Sequence, residues 1–471
     1  MRQDEALAIL GSGANVFLTG APGAGKTYVL NEFIRQARGD GASVAVTAST
    51  GIAATHINGT TIHSWSGIGL ATALTDSLVK TVRSRRKRKL QGADILIIDE
   101  VSMLHAWLFD MVDQVCRIVR HDERPFGGLQ VVLSGDFFQL PPVSVSGRNN
   151  DLIAPSPEFL ASRERYAGAG LNPEGFVTES LVWRELAPVV CYLTEQHRQD
   201  DGKLLNVLTD IRDGAVNDAD RNVLLTRLGV MPEPGQQAVN LFPVNRQADA
   251  LNDLRLFEIK EEPHEYLAES EGSANMVERL KRNMLAPERL YLKTGAAVMA
   301  VRNDTDHQFV NGSLGTVRGF ADQSKGGWPI VEFENGNIVT MKPASWEMQD
   351  GDTVLATVKQ VSLRCAWAIT IHKSQGMTLD RAVMDLRRTF APGMGYVALS
   401  RVESLDGLYL QGVNERMFLV SPDAVRLDGR LRTESALAVG VLAREGVAAF
   451  RKRTSGAVDG ADDEFAQDAL F

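Results

Sequence analysis

Gly20-Ala-Pro-Gly-Ala-Gly-Lys26-Thr27 has the spacing GxxxxGK[ST]. Residues of these types at this spacing bind phosphate. Gly20, Gly23 and Gly25 free the backbone to wrap N–H groups around phosphate oxygens, with Pro22, Ala24 and Tyr28 completing the loop and its exit. Lys26 is placed to reach the β and γ phosphates of ATP, and Thr27 to ligate Mg²⁺. The following stretch, YVLNEFIRQA, reads as a helix whose positive end adds to the attraction. With the strand VFLT before the loop, the pattern reads as a nucleotide site rather than as an isolated glycine turn.

Ile95-Leu-Ile-Ile-Asp99-Glu100 is an apolar strand ending in two carboxylates. Paired with a phosphate loop, Asp99 would hold Mg²⁺ through water and Glu100 would polarise the attacking water. The next strand runs into Ser134-Gly-Asp-Phe-Phe-Gln-Leu-Pro-Pro142. There Gln139 is a candidate sensor of the γ-phosphate, and Phe138 a candidate base contact, although at least one of Phe137 and Phe138 is expected to pack in the core. Arg198 in Glu-Gln-His-Arg-Gln and Arg401 in Leu-Ser-Arg each stand in a polar setting. Two arginines converging from a second domain would stabilise transition-state charge, by ~10³-fold or more each. As surface ion pairs they would contribute little. Composition does not choose between these two readings.

Elements must bring these residues together. VFLTGAPGAGKT, VAVTAST, ILIIDE and VVLSGDF are apolar runs of strand length, each ending in small or polar residues, with helical patterns between them. This alternation is that of a parallel α/β sheet with its loops at the strand C-termini. A second set begins at Val239 (VNLFPVN) and ends with AWAITIHK, RAVMDL and GLYLQG. The stretch from Tyr291 to Val358 differs, being rich in glycine and short alternating segments, with a hairpin expected at Asn335-Gly336. It reads as a small β-barrel inserted in the second α/β unit. Ser435 to Phe450 reads as a helix with Ser435 as its N-cap, and Thr454 to Phe471 as a disordered acidic tail.

The bulk properties are compatible with this. At 471 residues the chain has room for about three domains. It is 44% hydrophobic and 23% charged, as soluble globular chains are. Its three cysteines, Cys116, Cys191 and Cys365, lie far apart, which excludes a disulfide framework or a cysteine zinc site and suits a reducing cytoplasm. No apolar run reaches a membrane span, and MRQDEALAIL lacks the features of a signal peptide. The net charge of −9 argues against nucleic acid only on average, because Arg83, Arg85, Arg86, Lys87, Arg88 and Lys89 form a basic run.

The ordered set QDEAL, GAPGAGKT, TASTGIAA, GTTIHSW, IIDEVSM, PFGGLQVVLSGDFFQLPPV, LTEQHRQ, NGSLGTV, AWAITIHKSQGMTLD and GYVALSRV resembles a superfamily-one helicase of the Pif-one branch. The likeness covers Arg2 to Leu410. The stretch Leu108 to Gln130, ending in PFGGLQ, is similar to that branch's own signature and separates it from the RecD and Dda branches. One departure is Ser362, where the family usually carries proline. The resemblance implies two RecA-like motor domains. The first spans 1–180 with a wedge insertion at about 66–92, and the second spans 181–290 and 359–430. The inserted barrel takes 291–358, a C-terminal helix 431–453 and the tail 454–471. It implies that Gln3 reads adenine and that Lys26, Thr27, Asp99, Glu100, Gln139, Arg198 and Arg401 form the hydrolytic site. It also places Thr50, Gly51, His63 and Ser64 near the DNA backbone in the first motor domain, and His372, Lys373, Ser374 and Gln375 in the motif that couples DNA to ATP in the second. For His63 and His372 a structural role stays open.

The activity so implied is ATP-dependent 5′→3′ unwinding by a monomer of the bacterial cytoplasm and nucleoid, acting on single-stranded and tailed duplex DNA in replication, repair, recombination or telomere maintenance. Two other classes use the same loop: a DNA-dependent ATPase switch that does not unwind processively, and a small-molecule kinase. The paired arginine motifs and IHKSQG suit a two-domain motor better. The chain ends Gln467-Asp-Ala-Leu470-Phe471, similar to the QxxLF peptide by which bacterial enzymes hold their sliding clamp.

Overall fold

The computed structural model describes residues 1–50, 53–54, 57, 59–69, 71–142, 157–195, 202–233, 236, 238–284, 286–302, 304, 308–309, 312–350 and 353–451. The first apolar runs form one parallel sheet of six strands. These are β1 (Val16–Gly20), β2 (Val44–Ala48), β3 (Thr60–Thr61), β4 (Ile95–Asp99), β5 (Gln130–Ser134) and β6 (Val189–Leu193), in the order β3-β2-β4-β5-β1-β6. β1 and β6 are buried along their whole length, as expected of strands covered by helices on both faces. The edge strand β6 is additional to the four strands anticipated from pattern, and it lies past residue 180, where the first motor domain was expected to end.

A second parallel sheet holds β7 (Val239–Phe242), β18 (Ala368–Thr370), β19 (Ala382–Asp385) and β20 (Leu408–Gly412), in the order β18-β7-β19-β20. Between β7 and β18 the chain makes small antiparallel sheets. One pairs β8 (His264–Leu267) with β10 (Arg289–Leu292), and a three-stranded one joins β9 (Glu269–Gly272), β15 (Pro343–Asp350) and β16 (Thr353–Val361). A five-stranded one joins β11 (Ala297–Ala300), β12 (Leu314–Phe320), β13 (Pro329–Phe333), β14 (Ile338–Thr340) and β17 (Leu363–Cys365). Pairing therefore starts at His264, upstream of the expected Tyr291, and runs to Cys365. Strands β13 and β14 turn at Asn335-Gly336, where Gly336 has φ +84° and Asn335 Oδ1 accepts from Asn337 N–H at 3.0 Å.

Two segments differ from expectation. The helix expected from about residue 431 instead runs Pro422–Glu445, with Ser421 at its N-cap. Proline at its first position suits a helix start, so the boundary signal lay upstream. Ser435 sits within it, buried, and its hydroxyl accepts Tyr192 N–H at 3.0 Å. This ties the helix to β6. The basic run lies on helices Asp76–Arg85 and Lys87–Gln91, whose Val82 and Leu90 are buried in the core of the first unit. Arg120 Nη1 donates to the carbonyls of Leu90 and Ala93, both at 2.8 Å, holding this pair down.

One apolar core runs from Phe17, Ile98 and Leu133 in the first unit to Leu241, Met384 and Leu410 in the second. A separate core gathers Val298, Val317, Val331 and Phe333 of the five-stranded sheet with Tyr266 of β8, so the two small sheets pack on one another.

Candidate nucleotide and nucleic-acid site

The residues named from the sequence collect at the C-terminal ends of parallel strands, where α/β sheets place their ligands. The phosphate loop leaves β1 and enters the helix Lys26–Gly39. Gly23 and Gly25 both have φ +84°, a conformation other residues resist. At Gly20 a Cβ would stand 2.8 Å from the Leu193 carbonyl oxygen, so only glycine lets the loop lie against β6. Lys26 Nζ donates to the carbonyls of Gly20 and Ala21 at 2.8 and 3.1 Å, folded onto its own loop. Burial lowers its pKa and the Arg212 charge adds to this, while Asp136, Glu100 and Asp99 oppose. Thr27 and Tyr28 are exposed at the mouth, and Pro22 and Ala24 are buried beneath it. Gln3 reaches the loop as well, its Nε2 donating to the Ala24 carbonyl at 3.2 Å and its backbone N–H to Glu195 Oε2 at 2.9 Å.

Asp99 ends β4, and Asp99 Oδ1 accepts Glu100 N–H at 2.9 Å. Glu100 has φ +53°, uncommon for a residue with a side chain. Both carboxylates keep some contact with water, yet the protein packed around them raises both pKa values. For Glu100 burial comes first and the Asp99 charge second, together pushing it up to about 7 against the pull of Arg401 and Lys26. For Asp99 burial also dominates. Such a pair favours a cation. Among the described residues no group of three His, Cys, Asp or Glu is built to hold a metal alone. The donors fit a divalent ion that takes its other ligands from phosphate and water, as Mg²⁺ does.

The second unit reaches this floor directly. Gln375 Nε2 donates to Glu100 Oε2 at 3.3 Å and to Ser102 Oγ at 3.4 Å. Arg401 is buried, with Nη1 donating to the carbonyls of Met377 and Ser374 at 2.9 and 3.3 Å and Nε to Val397 at 3.0 Å. Gln139 Oε1 and Gln375 Oε1 are buried without a hydrogen-bond partner among the described residues. An orphaned acceptor in a cleft costs free energy and marks a place where a donor belongs.

Of the residues expected near DNA, Thr50 follows β2, its hydroxyl accepting Ala53 N–H at 3.2 Å. His63 and Ser64 lie on the short helix Ile62–Ser66, capped by Thr61. Ser64 is exposed, and His63 is partly buried with its pKa lowered by that burial. Past β18, His372 and Lys373 are partly exposed, with burial lowering both pKa values. The His372 ring stacks 6.5 Å from that of Phe390, which is 55% exposed. Ser374 is buried, its hydroxyl donating to the Ile371 carbonyl, so it closes a turn and does not face outward. Phe138 is corrected too. It is 3% exposed, under the Arg212 guanidinium at 4.3 Å, and cannot touch a base. Phe137 is also core, 5.2 Å from Phe17 and 4.7 Å from Phe176. Arg198, Gly51, Gln467, Leu470 and Phe471 lie outside the described residues.

Three buried residues escaped the sequence reading: Asp136, Arg212 and Tyr396. Asp136 stands inside SGDFFQ, so its position after a strand was a usable signal. Arg212, on an amphipathic helix, resembles any solvated arginine until the fold encloses it.

A family model described as PIF1-like helicase matches residues 5–160, and one described as the 2B domain of the DNA helicase Pif1 matches 275–320. The chain is 38% identical to an ATP-dependent DNA helicase Pif1 of Psychrobacter, with 92% of this chain and 71% of that one covered. It is 35% identical to its namesake from Bdellovibrio bacteriovorus, with 89% of each covered. Among solved structures, the Pif1 helicase from Candida albicans superposes with a TM-score of 0.80 at 31% identity, covering 91% of this chain and 98% of that one. The Bacteroides Pif1 helicase in complex with ADP-AlF3 and single-stranded DNA superposes with a TM-score of 0.69 at 27% identity, covering 90% and 94%. Identity at this level over nearly the whole length, with the same two-sheet architecture, makes this chain a member of the PIF1-like helicase family.

Proposed function

We propose that the chain is an ATP-driven DNA helicase that moves 5′→3′ along single-stranded DNA and opens duplex ahead of it. The observation that carries this reading is the contact of Gln375 with Glu100. A residue of the second unit, three positions from His372, rests on the carboxylate assigned to water activation in the first. A small-molecule kinase needs no such link.

The residues divide the work as follows. Lys26 leaves the Gly20 and Ala21 carbonyls for phosphate oxygens, and the loop N–H groups hold the rest of the chain of phosphates. Thr27 and Asp99 would hold Mg²⁺, which supplies charge neutralisation when bound. Glu100 accepts a proton from the attacking water, and its raised pKa makes it a competent base near neutral pH. Gln139 and Gln375 turn their orphaned oxygens toward donors in the filled cleft. Arg401 and Arg198 offset charge as the γ-phosphoryl group transfers. Gln3 reads the base edge. Thr50, Gly51, His63 and Ser64 on one unit and His372 and Lys373 on the other hold the DNA strand. Alternating grip by the two units then turns cleft closure into a step.

The chain acts as a monomer in this reading. Among the described residues no helix is long and apolar enough to cross a membrane. ATP hydrolysis with and without oligonucleotide, followed by strand separation, tests the function. Stimulation without separation would favour the non-unwinding ATPase, and no stimulation would favour the kinase. The terminal Gln467, Leu470 and Phe471 are proposed to dock on a bacterial sliding clamp. A peptide of the last dozen residues should bind clamp in fluorescence polarisation, and one carrying Leu470→Ala and Phe471→Ala should not.

A further inference from the structure

Behind the nucleotide cleft lies a buried ionic cluster that the chemistry above does not use. Asp136 follows β5 and is fully buried. Arg212, 2% exposed, comes from the helix Lys203–Asp213, which leads from the first unit toward the second. Its Nη1 donates to both Asp136 carboxylate oxygens, at 2.8 and 2.7 Å. Tyr396 of the second unit, also fully buried, donates to Asp136 Oδ2 at 2.9 Å and accepts from Arg212 Nη1 at 2.8 Å. On the other side Arg212 Nη2 donates at 2.8 Å to the Tyr192 hydroxyl of β6, which donates at 2.8 Å to Asp428 on the C-terminal helix.

Such a cluster adds little net stability, because the cost of desolvating buried charges offsets their attraction. Its effect is to fix geometry among the five segments it joins. Two features connect it to the cleft. Asp136 Oδ1 accepts Phe138 N–H at 3.2 Å and the Asp136 carbonyl accepts Gln139 N–H at 3.0 Å, so this residue forms the turn that presents Gln139. Among the charges acting on Lys26, that of Asp136 is also the strongest. Tyr396, for its part, sits on the helix Met394–Leu399, which leads directly into Arg401. That helix is pressed against the same turn: a Cβ at Gly393 would come 2.6 Å from the Phe138 carbonyl oxygen. A displacement of the Gln139 turn must therefore move the Arg401 helix, or break the cluster.

We propose that Arg212, bridging Asp136 and Tyr396, is a positioning residue that couples nucleotide occupancy of the cleft to the grip of the second unit on DNA. The inference rests on the helicase reading. Coupling of two ligands is reciprocal, so it is measurable as a change in DNA affinity on binding nucleotide, typically of ~5–150-fold.

The test measures dissociation constants of the intact protein for an oligothymidylate, with and without a non-hydrolysable ATP analogue and Mg²⁺. Tyr396→Phe removes a single hydroxyl, and Arg212→Lys keeps charge but loses the planar fork. Both should melt cooperatively and keep DNA-free hydrolysis within about twofold of wild type. The nucleotide-dependent change in DNA affinity should shrink at least ~5-fold, toward none. Asp428→Asn, at the rim, should shrink it less. If all three keep the wild-type ratio, the cluster is merely structural and the proposal fails. Should neither Tyr396→Phe nor Arg212→Lys fold, Asp428→Asn decides alone, and an unchanged ratio in it overturns the proposal. A wild-type protein whose DNA affinity ignores nucleotide would instead sink the helicase reading itself.

Discussion

Gln375 Nε2 of the second unit lies 3.3 Å from Glu100 Oε2 of the first, across 275 positions of sequence. An amide N–H on that carboxylate steadies its charged form and orients the lone pair that must face water. Hydrogen bonds to charged groups contribute about 1.5–3 kcal/mol. Gln375→Ala should therefore lower DNA-stimulated kcat by ~10-fold or more, with KM for ATP little changed. Steady-state hydrolysis with saturating oligonucleotide checks this. An equal loss in DNA-free hydrolysis would mean that Gln375 serves the chemistry without relaying the strand.

Lys26→Ala should reduce hydrolysis by ~10²-fold or more while single-strand binding persists, because the side chain lies folded within the glycine-rich loop proposed to hold phosphate. Arg401 needs a gentler change, since its guanidinium satisfies carbonyls of Ser374, Met377 and Val397. Arg401→Lys keeps a charge but loses the fork, and should melt cooperatively with turnover reduced ~10-fold or more. Near-normal turnover in either variant would remove that residue from the hydrolytic site.

Glu100 carries a pH signature. Burial and Asp99 raise its pKa from 4.5 to about 7, and the base proposed for the attacking water is the carboxylate. The value of kcat/KM should thus fall as pH drops through about 7, reporting the free enzyme. Stability runs the other way. A carboxyl whose pKa is raised on folding contributes fully below its ordinary value, and that contribution is lost as pH rises through the folded one. Glu100→Gln should then melt above wild type at pH 8, with the gap closing near 4.5. A gap independent of pH would show that Glu100 stays charged throughout.

Unwinding should require a 5′ single-stranded tail. This follows from the proposed 5′→3′ movement and from no residue spacing. Duplexes carrying a 5′ or a 3′ tail, compared under single-turnover conditions, decide it. Preferential opening of the 3′-tailed duplex would contradict the assigned direction.

Much of the cleft was legible in the linear chain because its chemistry is local. A phosphate loop needs glycines at fixed offsets between one strand and one helix, and Gly20 to Thr27 state this within eight residues. Asp99 and Glu100 are read from a strand that ends in them, and the two parallel sheets from apolar runs spaced by helices. The Asn335-Gly336 hairpin is local in the same way. What spans distance was not legible. The start of the C-terminal helix at Pro422 was missed because Ser435 looks like a cap, and only packing on Tyr192 shows that it serves β6 from mid-helix. Phe138 reads as an available aromatic until Arg212 covers it. Asp136, Arg212 and Tyr396 carry ordinary polar identities, and nothing in their flanking residues says that they meet. Local spacing specifies which groups a segment can offer to a ligand. Which groups become buried together, and are thereby forced to pair, is decided only when distant segments exclude water from between them.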